Sequence, residues 1–219
     1  MPKTRFVFSI AVAAMLVATP AMGQLANYPI TALPAGDADG ATSIGFGWGR
    51  GLNDTSGKLN AFGVGIARAM ETVSFGVGGS FIDAASSEIA VGGKVAYNLP
   101  ASGTTESVDF GIQGGIEWVS PEGATQLNFP IGVTARGSLA AGSGAIPLWI
   151  YPRWQWTRTS PETGDSNTES TPGVATGTGY VTEGGWGLSL SVDWTRIPGA
   201  ANSKVNSFLF GAAVIYQLP

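Results

Sequence analysis

The sequence has no histidine and no cysteine. Their absence removes Ser-His-Asp and Cys-His catalysis and the usual zinc ligands, and it leaves a chain that does not lean on disulfides. Charge is scarce too. Asp, Glu, Lys and Arg make up 12% of the residues, against about 25% in ordinary soluble domains. Beyond the first segment no stretch approaches the roughly 18 uninterrupted apolar residues of a membrane helix. Taking Lys3 and Arg5 from the 11 basic residues leaves 9 against 15 acidic ones, a balance that disfavours nucleic acid as a partner.

What the chain does have is glycine, 33 residues of it, spaced by two and not by the three of collagen. It also has the marks of a targeting signal. Lys3 and Arg5 form a positive n-region, Phe6–Val17 an apolar core, and Ala21-Met22-Gly23 a small-x-small cleavage site. The expected organisation is a signal peptide over residues 1–23, an Ala/Pro/Gly/Asp-rich periplasmic lead-in over 24–41, and one β-domain over 42–219.

From Thr42 onward the pattern alternates. In Val108–Trp118, residues Val108, Phe110, Ile112, Ile116 and Trp118 share one parity, while Asp109, Gly111, Gln113, Gly115 and Glu117 share the other. Successive side chains of a strand point to opposite faces. The stretch therefore has a fatty face and a face of glycine and charge, and it matches the roughly 9–11 residues of a tilted membrane-crossing strand. The same reading gives Thr42–Arg50, Leu59–Arg68, Val73–Phe81, Glu88–Asn98, Gln126–Gly137, Ile146–Arg158, Trp186–Trp194 and Phe208–Leu218, with Gly173–Glu183 alternating weakly. The predicted fold is all-β: an antiparallel up-and-down transmembrane β-barrel of about ten strands, or eight if the weak segment is loop. Thr159–Gly173 and Thr195–Asn206 read as long outer loops, with tight turns at Met70-Glu71 and Gly184-Gly185 on the opposite side. Pro130, Pro147 and Pro152 fall inside strands and cannot donate a ladder hydrogen bond; bulges or local unpairing are expected there. A soluble β-sandwich would have the same period, but its polar face would meet water, and here that face is mostly Gly, Ala and Ser.

The inward parity carries Glu88, Lys94, Asp109 and Glu117, then Arg136, Arg153 and Asp193, with the aromatics Trp149 and Tyr151 beside them. Unpaired buried charge is costly, so these residues are expected to form an ion-pair network between strands, or else to line a narrow aqueous path. Trp48, Trp118, Trp156, Trp186, Trp194 and Tyr216 fall where membrane strands place interfacial aromatics. Glu162, Asp165 and Glu169 read as a solvated acidic loop. Gly45-Phe46-Gly47-Trp48-Gly49 precedes no helix and is no phosphate loop. No catalytic, cofactor-binding or metal-ligating residue is assigned.

With its signal peptide, its Gly-x-Gly alternation and its closing strand Phe208–Leu218, the chain resembles the small bacterial outer-membrane β-barrel proteins of the porin-like, OmpA-like class. The resemblance implies residence in the outer membrane and contact with its lipid and lipopolysaccharide. It also implies insertion by the barrel-assembly machinery, although the last strand ends Leu218-Pro219 and not in an aromatic. The class contains structural anchors, adhesins, small-solute pores and a few enzymes; its proteases and phospholipases use a histidine this chain lacks. The expected role is non-enzymatic: a structural or surface-interaction barrel with a filled lumen, meeting an extracellular ligand through loop 159–173. The alternative is a passive pore for small solutes.

Overall fold

The computed structural model describes residues 42–53, 60–70, 72–83, 87–99, 108–120, 123–198 and 204–218. The expected signal peptide and lead-in lie outside them. Ten strands follow one another: β1 (Thr42–Gly51), β2 (Asn60–Met70), β3 (Val73–Asp83), β4 (Ser87–Asn98), β5 (Val108–Ser120), β6 (Ala124–Ala141), β7 (Gly144–Pro161), β8 (Asn167–Thr182), β9 (Trp186–Pro198) and β10 (Lys204–Leu218). Each pairs antiparallel with its sequence neighbours, and β1 pairs β10, so the sheet closes into a barrel with no free edge. Closure gives every strand a hydrogen-bonded neighbour on both sides, the condition for spanning lipid.

The register fixes the dimensions. Stepping in register from Thr42 through Arg68, Phe75, Val95, Gly114, Ile131, Trp154 and Pro172, and then to Arg196 by continuing the β8–β9 register one residue past Gly173↔Thr195, reaches Asn206 on β10, whereas the direct neighbour of Thr42 on that strand is Leu218. A stagger of that size around ten strands corresponds to a tilt of about 40° and a backbone diameter of about 20 Å.

The weak segment is a full strand, β8, so the count is ten. The two loops expected to be long are not. β7 runs to Pro161 and β8 starts at Asn167, leaving only residues 162–166 between them; β9 runs to Pro198 and β10 starts at Lys204. The reason is physical. This hairpin extends past the lipid-facing band, so both of its faces are wet, and Pro161 through Thr168 are all exposed. A strand wet on both sides loses the alternation that marks it in sequence. The longest connection, residues 99–107, instead joins β4 to β5 at the end that holds Thr42 and Leu218. The tight turns there include Gly142, whose φ of 60° a residue with a Cβ rarely adopts.

The prolines open the ladders without bulges. Pairing of β5 with β6 stops after Gly114↔Ile131 and resumes in the same register at Glu117↔Asn128, on either side of Pro130. β7 and β8 skip likewise between Ala145↔Val181 and Leu148↔Thr178, around Pro147. β6 and β7 skip between Gly132↔Arg153 and Ala135↔Ile150, where Pro152 stands. A missing N–H removes a bond, and the pairs to either side hold the register.

Candidate functional site

The lumen is organised by three consecutive inward residues of β7: Trp149, Tyr151 and Arg153, all buried. Their register partners on β8 are Gly177, Ala175 and Gly173. Trp149 and Arg153 thus lean across two glycines of β8, while the Tyr151 hydroxyl reaches the other way and donates to the Gln113 carbonyl on β5 at 3.3 Å. This is why β8 alternates weakly: its inward face is stripped to Gly and Ala, and its outward face carries Thr176 and Thr178. A Cβ on Gly177 would strike the Trp149 ring and come within 2.6 Å of the Leu190 carbonyl. Gly177→Ala should therefore destabilise the barrel by about 1–3 kcal/mol, read as a shifted urea midpoint of refolded protein. Trp149→Ala should relieve part of that loss and no more, because the Leu190 carbonyl remains.

Arg153 passes over Gly173 to reach β9. Its Nη1 donates to Asp193 Oδ2 at 2.6 Å and its Nη2 to Asp193 Oδ1 at 2.9 Å. Nη2 also donates to Thr195 Oγ1 at 2.8 Å, and Thr195 in turn donates to Asp193 Oδ1 at 2.8 Å. The guanidinium carbon lies 5.8 Å from the Tyr151 ring centroid. A Cβ on Gly173 would sit 3.2 Å from that carbon, so glycine there keeps the crossing clear. The fork-to-fork geometry is the strong form of this ion pair, and both side chains are sealed from solvent.

A second polar chain lies on the β5–β7 side. Asn128 Nδ2 donates to Glu117 Oε2 at 3.0 Å, Thr157 Oγ1 donates to Asn128 Oδ1 at 2.8 Å, and Gln155 Nε2 donates to Thr157 Oγ1 at 3.1 Å. Nearer the end that holds Thr42 and Leu218, Arg136 stands directly opposite Asp109 in the register and donates to Asn98 Oδ1. The structure thus brings Arg153 to Asp193 and sets Arg136 against Asp109, but it leaves Lys94 apart: among the described residues its Nζ has no hydrogen-bond partner, nor has Glu117 Oε1. Glu88 is buried on β4 near the far end. Among the described residues no three acidic side chains cluster closely enough to share a metal ion.

Parity counting missed several lumenal residues. Thr195 is fully buried and completes the Asp193 cage, yet the sequence reading left it in a loop. Ile82, Val119 and Leu209 are also fully buried, and by register all three lie toward the far mouth. The signal was available for Ile82 and Val119: the alternation continues one step past Phe81 and past Trp118.

The outer face is the inverse of the lumen. Val77, Val95, Ile131, Leu188 and Leu190 are all exposed, Leu188 at 61%, while Glu117, Asn128 and Asp193 are at 0%. Aromatics bound this aliphatic belt on both sides. Trp186 and Tyr216, register partners with ring centroids 4.7 Å apart, mark the end with Thr42 and Leu218. Trp118, Trp156 and Trp194, with Trp48 beside Phe210 at 6.0 Å, mark the far end. Trp186 and Trp194 are eight residues apart on β9, roughly 26 Å along the strand and about 20 Å in height at this tilt, close to the apolar band of membrane barrels, about 25 Å tall. The chain has the fold of the small outer-membrane β-barrel proteins.

No family model matches the sequence of this barrel, and no curated protein matches it. Solved structures resemble it in fold. The outer membrane protease OmpT from Escherichia coli aligns at 11% identity with a TM-score of 0.46, over 83% of this chain and 97% of that one. The N-terminal β-barrel domain of Pseudomonas aeruginosa OprF aligns at 8% identity and a TM-score of 0.37, over 82% of this chain and 99% of that one. Neisserial surface protein A aligns at 16% identity and a TM-score of 0.39, over 82% and 97%.

Proposed function

We propose that the chain is an integral outer-membrane protein, non-enzymatic, with a lumen closed by its own side chains and a structural or surface-interaction role. The end holding Thr42 and Leu218 faces the periplasm, as in even-stranded bacterial barrels. The observation that carries the closed lumen is the Arg153–Asp193 crossing. It covers the wall from β7 to β9, and on the other side of β7 the Tyr151 hydroxyl donates to the Gln113 carbonyl of β5 at 3.3 Å, so side chains of one strand reach over an arc from β5 to β9 inside a bore about 20 Å across. The sequence supports the non-enzymatic reading through its lack of His and Cys.

One observation favours a second reading, a narrow pore. Lys94 Nζ, Glu117 Oε1 and Gln113 Oε1, on the adjacent strands β4 and β5, are buried with no hydrogen-bond partner among the described residues, and polar atoms so placed suit water. Planar-bilayer conductance separates the two. Protein shown to have inserted should be silent in 1 M salt; discrete, reproducible steps abolished or altered in charge selectivity by Lys94→Met would establish the pore instead.

A further inference from the structure

Three strands end at the far rim on one repeated pattern. β1 carries Trp48-Gly49-Arg50, β7 carries Trp156-Thr157-Arg158, and β9 carries Trp194-Thr195-Arg196. Residues two apart share a face, so each arginine follows its tryptophan on the outside of the wall, one pleat nearer the rim. All three arginines are exposed. Trp194 Nε1 donates to Asn206 Oδ1 at 3.1 Å, and Asn206 is the register partner of Arg196, so the indole is tied down beside its arginine.

β7, β9 and β1 are alternate strands, with β8 and β10 between them. The arginines therefore stand at intervals of roughly 13 Å along one continuous arc. The arc is one-sided. The other strands running in the same direction, β3 and β5, end Phe81-Ile82-Asp83 and Trp118-Val119-Ser120, with no cation on that face. Of the other described cations, Lys94, Arg136 and Arg153 are buried in the lumen, Arg68 is exposed near the opposite end of β2, and Lys204 opens β10 at the same rim, between β9 and β1.

Tryptophan belongs at the boundary between acyl chains and headgroups. A guanidinium one pleat further out lies at headgroup depth, where its planar fork suits phosphate oxygens. We propose that this Trp-x-Arg arc is a docking surface for a phosphorylated glycolipid of the outer leaflet, with Arg50, Arg158 and Arg196 holding its phosphates and the wall from β7 to β1 receiving its acyl chains. The inference rests on the membrane orientation given above. The spacing selects the lipid: a headgroup with more than one phosphate bridges neighbouring arginines and gains from both at once, whereas a single phosphodiester meets one.

The test uses the full chain refolded in zwitterionic detergent and titrated with diphosphoryl lipid A, binding being read by native mass spectrometry and by the shift in thermal unfolding. Heat-modifiable gel mobility and protease protection in vesicles score barrel formation and insertion separately, so a failure of the membrane reading shows there and not in the lipid titration. A surface arginine near a membrane contributes roughly a fivefold gain in anionic-lipid binding. The triple variant R50Q/R158Q/R196Q should thus bind about a hundredfold more weakly than the natural chain, and R68Q, at the other end, should bind as the natural chain does. Dephosphorylated lipid A should give no shift. Equal binding by the triple variant, or equal binding of phosphatidylglycerol and lipid A, would overturn the proposal.

Discussion

Replacing Asp193 with alanine should cost the folded barrel about 3–5 kcal/mol, because it strands the Arg153 charge in a sealed interior. Asp193 takes both arms of the guanidinium, at 2.6 and 2.9 Å, and what remains after its removal is the Thr195 hydroxyl at 2.8 Å. Both side chains are at 0% exposure, so water cannot simply replace the carboxylate. The measurement is urea unfolding of refolded protein in lipid vesicles. The double variant Arg153→Met with Asp193→Leu is the informative partner. A buried ion pair is often no better than an apolar pair of similar volume, so the double variant should recover most of what Asp193→Ala loses. If Asp193→Ala alone falls within about 1 kcal/mol of the natural chain, well short of the cost of an uncompensated buried charge, the guanidinium is hydrated and the lumen is wet. That outcome would favour the pore.

The same residues explain what could be read in the sequence and what could not. Period-two alternation located the strands of the lipid belt, because there one face meets fatty chains and the other a crowded interior. Val108–Trp118 is read without error for that reason: Phe110, Ile112 and Ile116 are exposed, and Gln113 and Glu117 are buried. The method failed wherever one of those two conditions failed. The tip of the β7–β8 hairpin stands in water on both faces, so Thr159 and Thr168 look like loop. Along β8 the inward side is emptied to make room for Trp149 and Arg153, so its contrast fades. The pairing of Arg153 with Asp193 was beyond the sequence altogether. The two are forty residues apart and not on adjacent strands; their meeting depends on Gly173 lying between them. Parity gave the face on which each charge sits but not the stagger of the barrel, and the stagger decides which charges meet.

Leu190→Arg is the substitution that separates a membrane barrel from a water-soluble one. Leu190 is outward and 48% exposed, and it sits four residues from Trp186 and four from Trp194, midway between the two aromatic boundaries. In a lipid bilayer an arginine at that depth should cost about 2–4 kcal/mol, falling to about 0–1 kcal/mol near the boundary. In water it would exchange an exposed apolar side chain for a charged one, with an effect within about 0.5 kcal/mol, and solubility would improve. Measured in vesicles by reversible urea unfolding, Leu190→Arg should be markedly destabilising, while the same change at Thr163, exposed in the turn between β7 and β8, should be nearly neutral. A neutral result at Leu190 in protein that folds and stays soluble without detergent would mean that the aliphatic belt faces water. The depth dependence is the more demanding test. Any disruption of packing can produce one bad substitution, but only a lipid slab bounded by Trp186 and Trp194 predicts a cost that peaks at Leu190 and fades toward both tryptophans.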